Sequence, residues 1–208
     1  MPIDRPLFIV LEGIDGSGKT TQSRLLEASF NEMGQTCHRT FEPTDNKIGR
    51  IIRSVIQREE TVNPETLAAL FVADRLDHIL DANYGMKAQL AQGRHVVCDR
   101  YYFSSYAYHS LDVPMDWVIQ SNSLCAQLLK PDIIFFIDVD PALSMQRIAN
   151  NREQNDLFET QHQLEKIREN YLKAIALKKD EEHIVFINGN QNEAAIHADI
   201  MRHLEVMK

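Results

Sequence analysis

Gly13-Ile14-Asp15-Gly16-Ser17-Gly18-Lys19-Thr20, followed by Thr21, is the stretch on which the fold turns. It fits G-x-x-x-x-G-K-[ST], follows directly on the apolar run Leu7 to Leu11 and leads directly into an amphipathic stretch. Strand, phosphate-cradling loop and helix is the order this implies. Glycines let the backbone curl until successive N–H groups face phosphate oxygens, and the helix N-terminus adds the positive end of its dipole. Lys19 is expected to neutralise the β and γ oxygens of a nucleoside triphosphate, and the Thr20 hydroxyl to ligate the Mg²⁺ that bridges them. A Gly-rich turn matching by chance is the competing explanation, and the strand and helix on either side weigh against it. The use made of the triphosphate stays open, because kinases, GTPases and ATP-driven machines share this loop.

Working outward, further short apolar runs lie at His95 to Cys98, Ile133 to Ile137 and Ile184 to Ile187, with a weaker one at Thr36 to Phe41. The strong runs lack polar alternation, as expected of parallel strands covered on both faces. Helical patterns separate them: Lys19 to Met33, Asn63-Pro64 through Leu80, Met86 to Gln92, Pro114 to Leu129, Pro141 to Ala149, Glu159 to Lys178 and Asn192 to Met207. This βαβα alternation predicts a three-layer α/β/α fold around a five-stranded parallel sheet. No repeat or Gly/Ser-rich linker suggests a boundary, so one domain over residues 1–208 is expected.

Composition narrows the function. The formal net charge of -8 over 208 residues disfavours long nucleic acid as a partner, while a small phosphorylated ligand needs only a few placed cations. The first apolar run is too short for a signal-peptide core or a membrane span, and three scattered cysteines suggest neither a disulfide framework nor a zinc site. A cytoplasmic location is the expectation. A GTPase would need N-K-x-D, but Asn46-Lys47 continues with Ile48-Gly49, and a motor would usually need a longer chain. A small-molecule kinase suits the chain best.

Phe71 and Arg75 fall one turn apart on one face of their helix, so an aromatic plane and a guanidinium can converge on a base. On pattern alone, a core Phe71 and a solvated or acid-paired Arg75 is the favoured reading, and it takes the resemblance given below to reverse it. Asp99 and Arg100 follow the third strong strand, at the edge where parallel sheets bind ligands. There Asp99 can position the hydration shell of Mg²⁺, and Arg100 can steady an acceptor phosphate or the transferring group. Arg147, in the helix after Asp138-Val139-Asp140-Pro141, and Arg152, in the polar stretch after it, read as arginines of a short lid at about 150–157 that excludes water.

Taken together, the chain resembles the thymidylate kinase family from its first strand to its last helix. The opening Phe8-Ile9-Val10-Leu11-Glu12-Gly13 through Thr20-Thr21-Gln22 is similar to the family's F-I-x-x-E-G-x-D-G-x-G-K-T-T-Q, and Leu70-Phe71-x-x-x-Arg75 and Asp99-Arg100-Tyr101-x-x-Ser104-x-x-Ala107-Tyr108 resemble its two nucleotide-reading segments. The resemblance implies a P-loop kinase that moves the γ-phosphate of Mg·ATP to dTMP, works as a homodimer and contributes to dTTP biosynthesis. It further implies that Phe71 stacks on thymine, Arg75 reads its O4, Arg100 contacts the dTMP phosphate and Asp15 approaches the sugar 3'-hydroxyl. Ser104, Ser105 and Tyr108 would lie along the acceptor. The chain departs from the family at Phe41 and Thr44, where many relatives carry an arginine beside Glu-Pro; Arg39, Lys47 and Arg50 are the candidates to replace it. The alternatives are a related kinase with another acceptor and a nucleotide-binding regulatory protein. The cations at Arg75 and Arg100 argue against a nucleoside or cytosine acceptor. The joint presence of Lys19, Thr20, Asp99 and Arg100 argues against a regulator.

Overall fold

The strand that precedes the glycine loop, β1 (Phe8–Glu12), is buried along its whole length. In the computed structural model, which describes residues 5–151 and 160–207, Phe8 and Val10 enter one core and Ile9 and Leu11 the other. Successive side chains of a strand point to opposite faces, so a strand buried on both belongs at the centre of a layered sheet. β2 (Cys37–Phe41), β3 (His95–Asp99), β4 (Ile133–Asp138) and β5 (Ile184–Asn188) complete it. All five pair in parallel, in the order β2-β3-β1-β4-β5. The fold is the α/β/α architecture expected.

Between the strands run α1 (Lys19–Glu32), α2 (Lys47–Ile56), α3 (Pro64–Leu80), α4 (Met86–Ala91), α5 (Tyr102–Tyr108), α6 (Met115–Ser121), α7 (Ser123–Leu128), α8 (Pro141–Asn151), α9 (Gln161–Lys178) and α10 (Glu193–Glu205). On one face Leu26 and Phe30 of α1 and Ile196, Ile200 and Leu204 of α10 pack on Ile9, Leu11 and Phe135. On the other, Tyr102 and Phe103 of α5 and Leu164, Ile167 and Tyr171 of α9 pack on Phe8, Val10 and Phe136. Each such side chain contributes about 1.5–3 kcal/mol by leaving water, which makes the two layers the main stabilisation of the sheet.

Three features depart from the expected elements. α2 and α5 were not anticipated, and the single pattern from Pro114 to Leu129 forms two helices, α6 and α7. The break falls at Asn122, whose amide donates to Val118 O at 2.8 Å and whose side-chain oxygen accepts from Arg75. A tertiary contact thus interrupts a locally continuous pattern. α8 runs to Asn151; the rest of the expected lid, with Arg152, lies outside the described residues. No helix among the described residues is long and apolar enough to cross a membrane.

The register brings the functional edge together. Leu11 pairs with Asp99, and Phe41 pairs with Asp99 from the other side, so the turns after β1, β2 and β3 leave the sheet side by side. The loop after β1 is pinned close to its neighbours. Gly13 has φ 148, and a Cβ there would stand 2.6 Å from Ile137 O; Gly16 has φ 73, and a Cβ there would stand 2.7 Å from Ser144 O. Only glycine fits both places.

Candidate active site

The glycine loop lines a cavity of about 490 Å³ that runs from Lys19, Thr20 and Thr21 past Asp99 and Arg100 to Arg147, Gln191 and Ile196. Lys19 Nζ donates to Gly13 O at 2.9 Å, Ile14 O at 2.8 Å and Ser17 Oγ at 3.3 Å, which stretches it across the loop. Burial and then the charge of Arg100 pull its pKa down to about 8. An anionic phosphate would offset both effects.

Thr20 Oγ1 donates to Asp99 Oδ2 at 2.6 Å, while Asp99 Oδ1 is buried with no hydrogen-bond partner among the described residues. A hydroxyl beside a carboxylate with one unengaged oxygen suits Mg²⁺, which takes one or two protein ligands, phosphate oxygens and water. Thr20 and Asp99 are the residues that would hold it.

A second cavity, of about 280 Å³, adjoins the first and shares Asp15 and Arg100 with it. Phe71, Ser105 and His109 line one part, Arg53, Phe41 and Pro43 another, and Ser104 and Tyr108 the remainder. Arg100 has φ 72 and sits at the junction. Its Nη2 donates to Asp15 Oδ1 at 2.5 Å and to Tyr108 OH at 3.2 Å, and its Nη1 to Ser104 Oγ at 3.2 Å. The Tyr108 hydroxyl donates in turn to Asp15 Oδ2 at 3.0 Å. Burial opposes the charge of Arg100, but Tyr108 and Asp15 hold the guanidinium ionised, well above its ordinary range. Two carboxylate oxygens, a phenol and a guanidinium therefore face the point where the cavities meet.

Phe71 lines the second cavity, with His109 edge-on at 4.8 Å. Arg75 does not line it. That guanidinium is 1% exposed, with Nε donating to Glu42 Oε2 at 2.8 Å and Nη1 to Ser105 Oγ at 3.1 Å and to Asn122. The expected direct reader of a base thus stands behind the wall, and the Ser105 hydroxyl faces the cavity in front of it.

The cations expected to stand in for an arginine at positions 41 and 44 do not line the second cavity, but another does. Arg39 turns away to Glu27 at 3.1 Å, Arg50 donates to Asp45 O at 3.0 Å and Lys47 is exposed. Arg53 of α2 lines the cavity instead, fixed by Pro43 O at 2.8 Å, Thr44 O at 2.6 Å and Asp45 Oδ1 at 2.7 Å. The same segment is tied to α3, where Asp74 accepts from Thr44 N at 2.8 Å and Thr44 Oγ1 at 2.6 Å. His109 is the other residue that sequence reasoning missed. Burial and then Arg75 push its pKa down to about 3, so the imidazole is neutral at physiological pH, and its ring nitrogens make no hydrogen bond among the described residues.

Arg147 lines the first cavity, where it donates to Gln191 O at 3.1 Å. That contact ties it to the end of the cavity formed by the segment after β5, rather than to Lys19.

Comparison with known proteins matches the family model described as thymidylate kinase over residues 11–200. The chain is 37% identical over 203 residues to a probable thymidylate kinase of Pyrococcus horikoshii, covering 95% of each. It is also 37% identical over 199 residues to a probable thymidylate kinase of Methanocaldococcus jannaschii, covering 96% of each. A thymidylate kinase of Leptospira borgpetersenii serovar Hardjo-bovis is 33% identical over 171 residues, 82% of each chain.

Proposed function

The chain belongs to the thymidylate kinase family, and we propose that it transfers the γ-phosphate of Mg·ATP to dTMP, giving ADP and dTDP for dTTP biosynthesis. The observation that carries this reading is the pair of cavities meeting at Asp15 and Arg100, one floored by the phosphate loop and one walled by Phe71. Two ligands held there face each other across one guanidinium.

In this reading residues 13–21 cradle the ATP phosphates, Lys19 neutralises the β and γ oxygens, and Arg147 holds the far end of the donor. Thr20 and Asp99 would hold Mg²⁺, which when bound would supply charge neutralisation at the transferring group. Phe71 stacks on thymine. The Ser105 hydroxyl, which accepts from Arg75, is left with its proton to donate to a base carbonyl, and Ser104 and Tyr108 lie along the acceptor. Asp15 accepts from the sugar 3'-hydroxyl. Arg100 and Arg53 take the acceptor phosphate, with Arg100 exchanging part of its hold on Asp15 for a phosphate oxygen, and Arg152, outside the described residues, is the cation assigned to the transferring group. Catalysis is positioning and charge neutralisation, with no covalent intermediate.

We further propose a cytoplasmic homodimer. Cys37, Cys98 and Cys125 are free thiols, which suits a reducing compartment. Ile51, Leu80, Trp117 and Leu124 are exposed on α2, α3, α6 and α7, helices that pack on one another and offer apolar surface to a second copy.

ADP release with Mg·ATP and dTMP, dUMP, dCMP, dGMP or thymidine offered separately tests the reaction. Preference for dTMP, with dTDP as product, is expected; release independent of acceptor, or preference for dCMP or dGMP, would overturn the reading.

A further inference from the structure

Glu12, the last residue of β1, lines neither cavity and carries no role in the reaction described above, yet its carboxylate is among the most heavily engaged groups in the molecule. It is 1% exposed. Oε1 accepts from the backbone N–H groups of Tyr101 at 2.8 Å and Ser104 at 3.1 Å, and Oε2 from Ser104 Oγ at 2.6 Å and Tyr171 OH at 2.9 Å. Burying a carboxylate is costly, and a neutral amide or hydroxyl is enough to accept from the two N–H groups that open α5. Four donors converge on this one carboxyl, more than capping requires.

Its partners surround one residue. Tyr101 follows Arg100 directly, and Ser104 Oγ, while donating to Glu12, accepts from Arg100 Nη1 at 3.2 Å. The backbone of Arg100 itself, at φ 72, is tied to β1 by its N–H to Leu11 O at 3.0 Å. A left-handed conformation at a residue with a side chain persists only where its surroundings impose it, and here Leu11 and Glu12 do so from the adjacent strand. The Tyr171 hydroxyl adds contacts to Ser104 Oγ at 2.8 Å and Gly13 O at 3.3 Å, joining α9 and the phosphate loop to the same carboxylate.

We propose that Glu12 is a positioning residue for phosphoryl transfer: from beneath the phosphate loop it sets both the backbone and the guanidinium of Arg100 at the junction of the two cavities. The inference rests on the reading of Arg100 as the acceptor-phosphate ligand. Glu12→Gln keeps the volume but turns one acceptor into an N–H donor, which competes with Arg100 for the lone pairs of Ser104 Oγ.

The test compares dTMP with thymidine, which lacks the phosphate, by equilibrium binding, together with kcat/KM for dTMP. Glu12→Gln is expected to lower kcat/KM for dTMP by about 10- to 100-fold while thymidine affinity stays within about twofold. In an Arg100→Ala background the same change should add less than about twofold, because its route of action has been removed. If Glu12→Gln fails to fold, judged by thermal melting, Tyr171→Phe removes a hydroxyl that donates to Glu12 and lines neither cavity, and it should weaken dTMP with thymidine affinity kept. Equal losses for dTMP and thymidine, or full additivity with Arg100→Ala, would overturn the inference. Arg100→Ala leaving the dTMP-to-thymidine ratio unchanged would instead overturn the phosphate role of Arg100 on which it rests.

Discussion

Lys19 lies across the phosphate loop, where burial and the neighbouring Arg100 bring its pKa to about 8, within reach of ordinary buffers. ATP favours the charged amine and so raises that pKa on binding. ATP affinity should therefore be full below about pH 8 and weaken as pH rises through it, with the KM for ATP climbing towards tenfold per pH unit. Steady-state kinetics from pH 6.5 to about 9.5 check this, and Lys19→Arg, charged throughout, should lose the rise. Arg53 makes a second prediction. Arg53→Ala should raise the KM for dTMP by about 10-fold or more and leave the KM for ATP unchanged, since Arg53 lines only the second cavity. The phosphate loop was legible because its spacing alone carries the chemistry, whereas Phe71 on spacing alone reads as core and was singled out only by the family resemblance. Arg53 was not legible, because it reaches the cavity through bonds to Pro43 O and Thr44 O that no local spacing encodes. Arg75 was legible as a partner of Phe71, but its complete burial was not, because Glu42, Ser105 and Asn122 come from three distant segments.

Among the elements, the strands were the most readable, since burial on both faces demands continuous apolar runs. α5 shows the converse. All seven of its residues are buried, so it has no polar face and no 3.6-residue period to detect. α2 does carry a signal, with Ile48, Ile52, Val55 and Ile56 at helical spacing. The element boundary at Asn122 is set by α3, through Arg75, and no local pattern encodes it. That contact gives the prediction proper to this scale. Arg75 and Glu42 form an ion pair at 2.6 Å with side chains 1% and 2% exposed, joining α3 to the end of β2. Arg75→Ala leaves Glu42 buried with His78 Nδ1, at 3.1 Å, as its remaining side-chain partner among the described residues and should cost about 3 kcal/mol, read from the shift in the urea midpoint. An unchanged midpoint would mean that the carboxylate finds another partner or a proton. The same variant should also weaken dTMP, because Ser105 loses the group that orients it.

At the scale of the whole molecule, a formal net charge of -8 surrounds a site built from Lys19, Arg53, Arg100 and Arg147. The cations are local and the acidity is diffuse, which suits a small phosphorylated ligand and repels a polyanion. Strand order does the rest. With β1 between β3 and β4, the phosphate loop and the Asp99-Arg100 turn leave adjacent strands, and the two cavities have to meet. The proposed arrangement holds donor and acceptor at once, so the phosphoryl group would pass between them in a single in-line step. The most direct test uses ATP made chiral at the γ-phosphorus by isotopic oxygen and sulfur, with dTMP as acceptor and the configuration of the product determined. Inversion is predicted, as one displacement requires; retention would reveal two displacements through a phosphorylated side chain and would contradict direct transfer across Arg100.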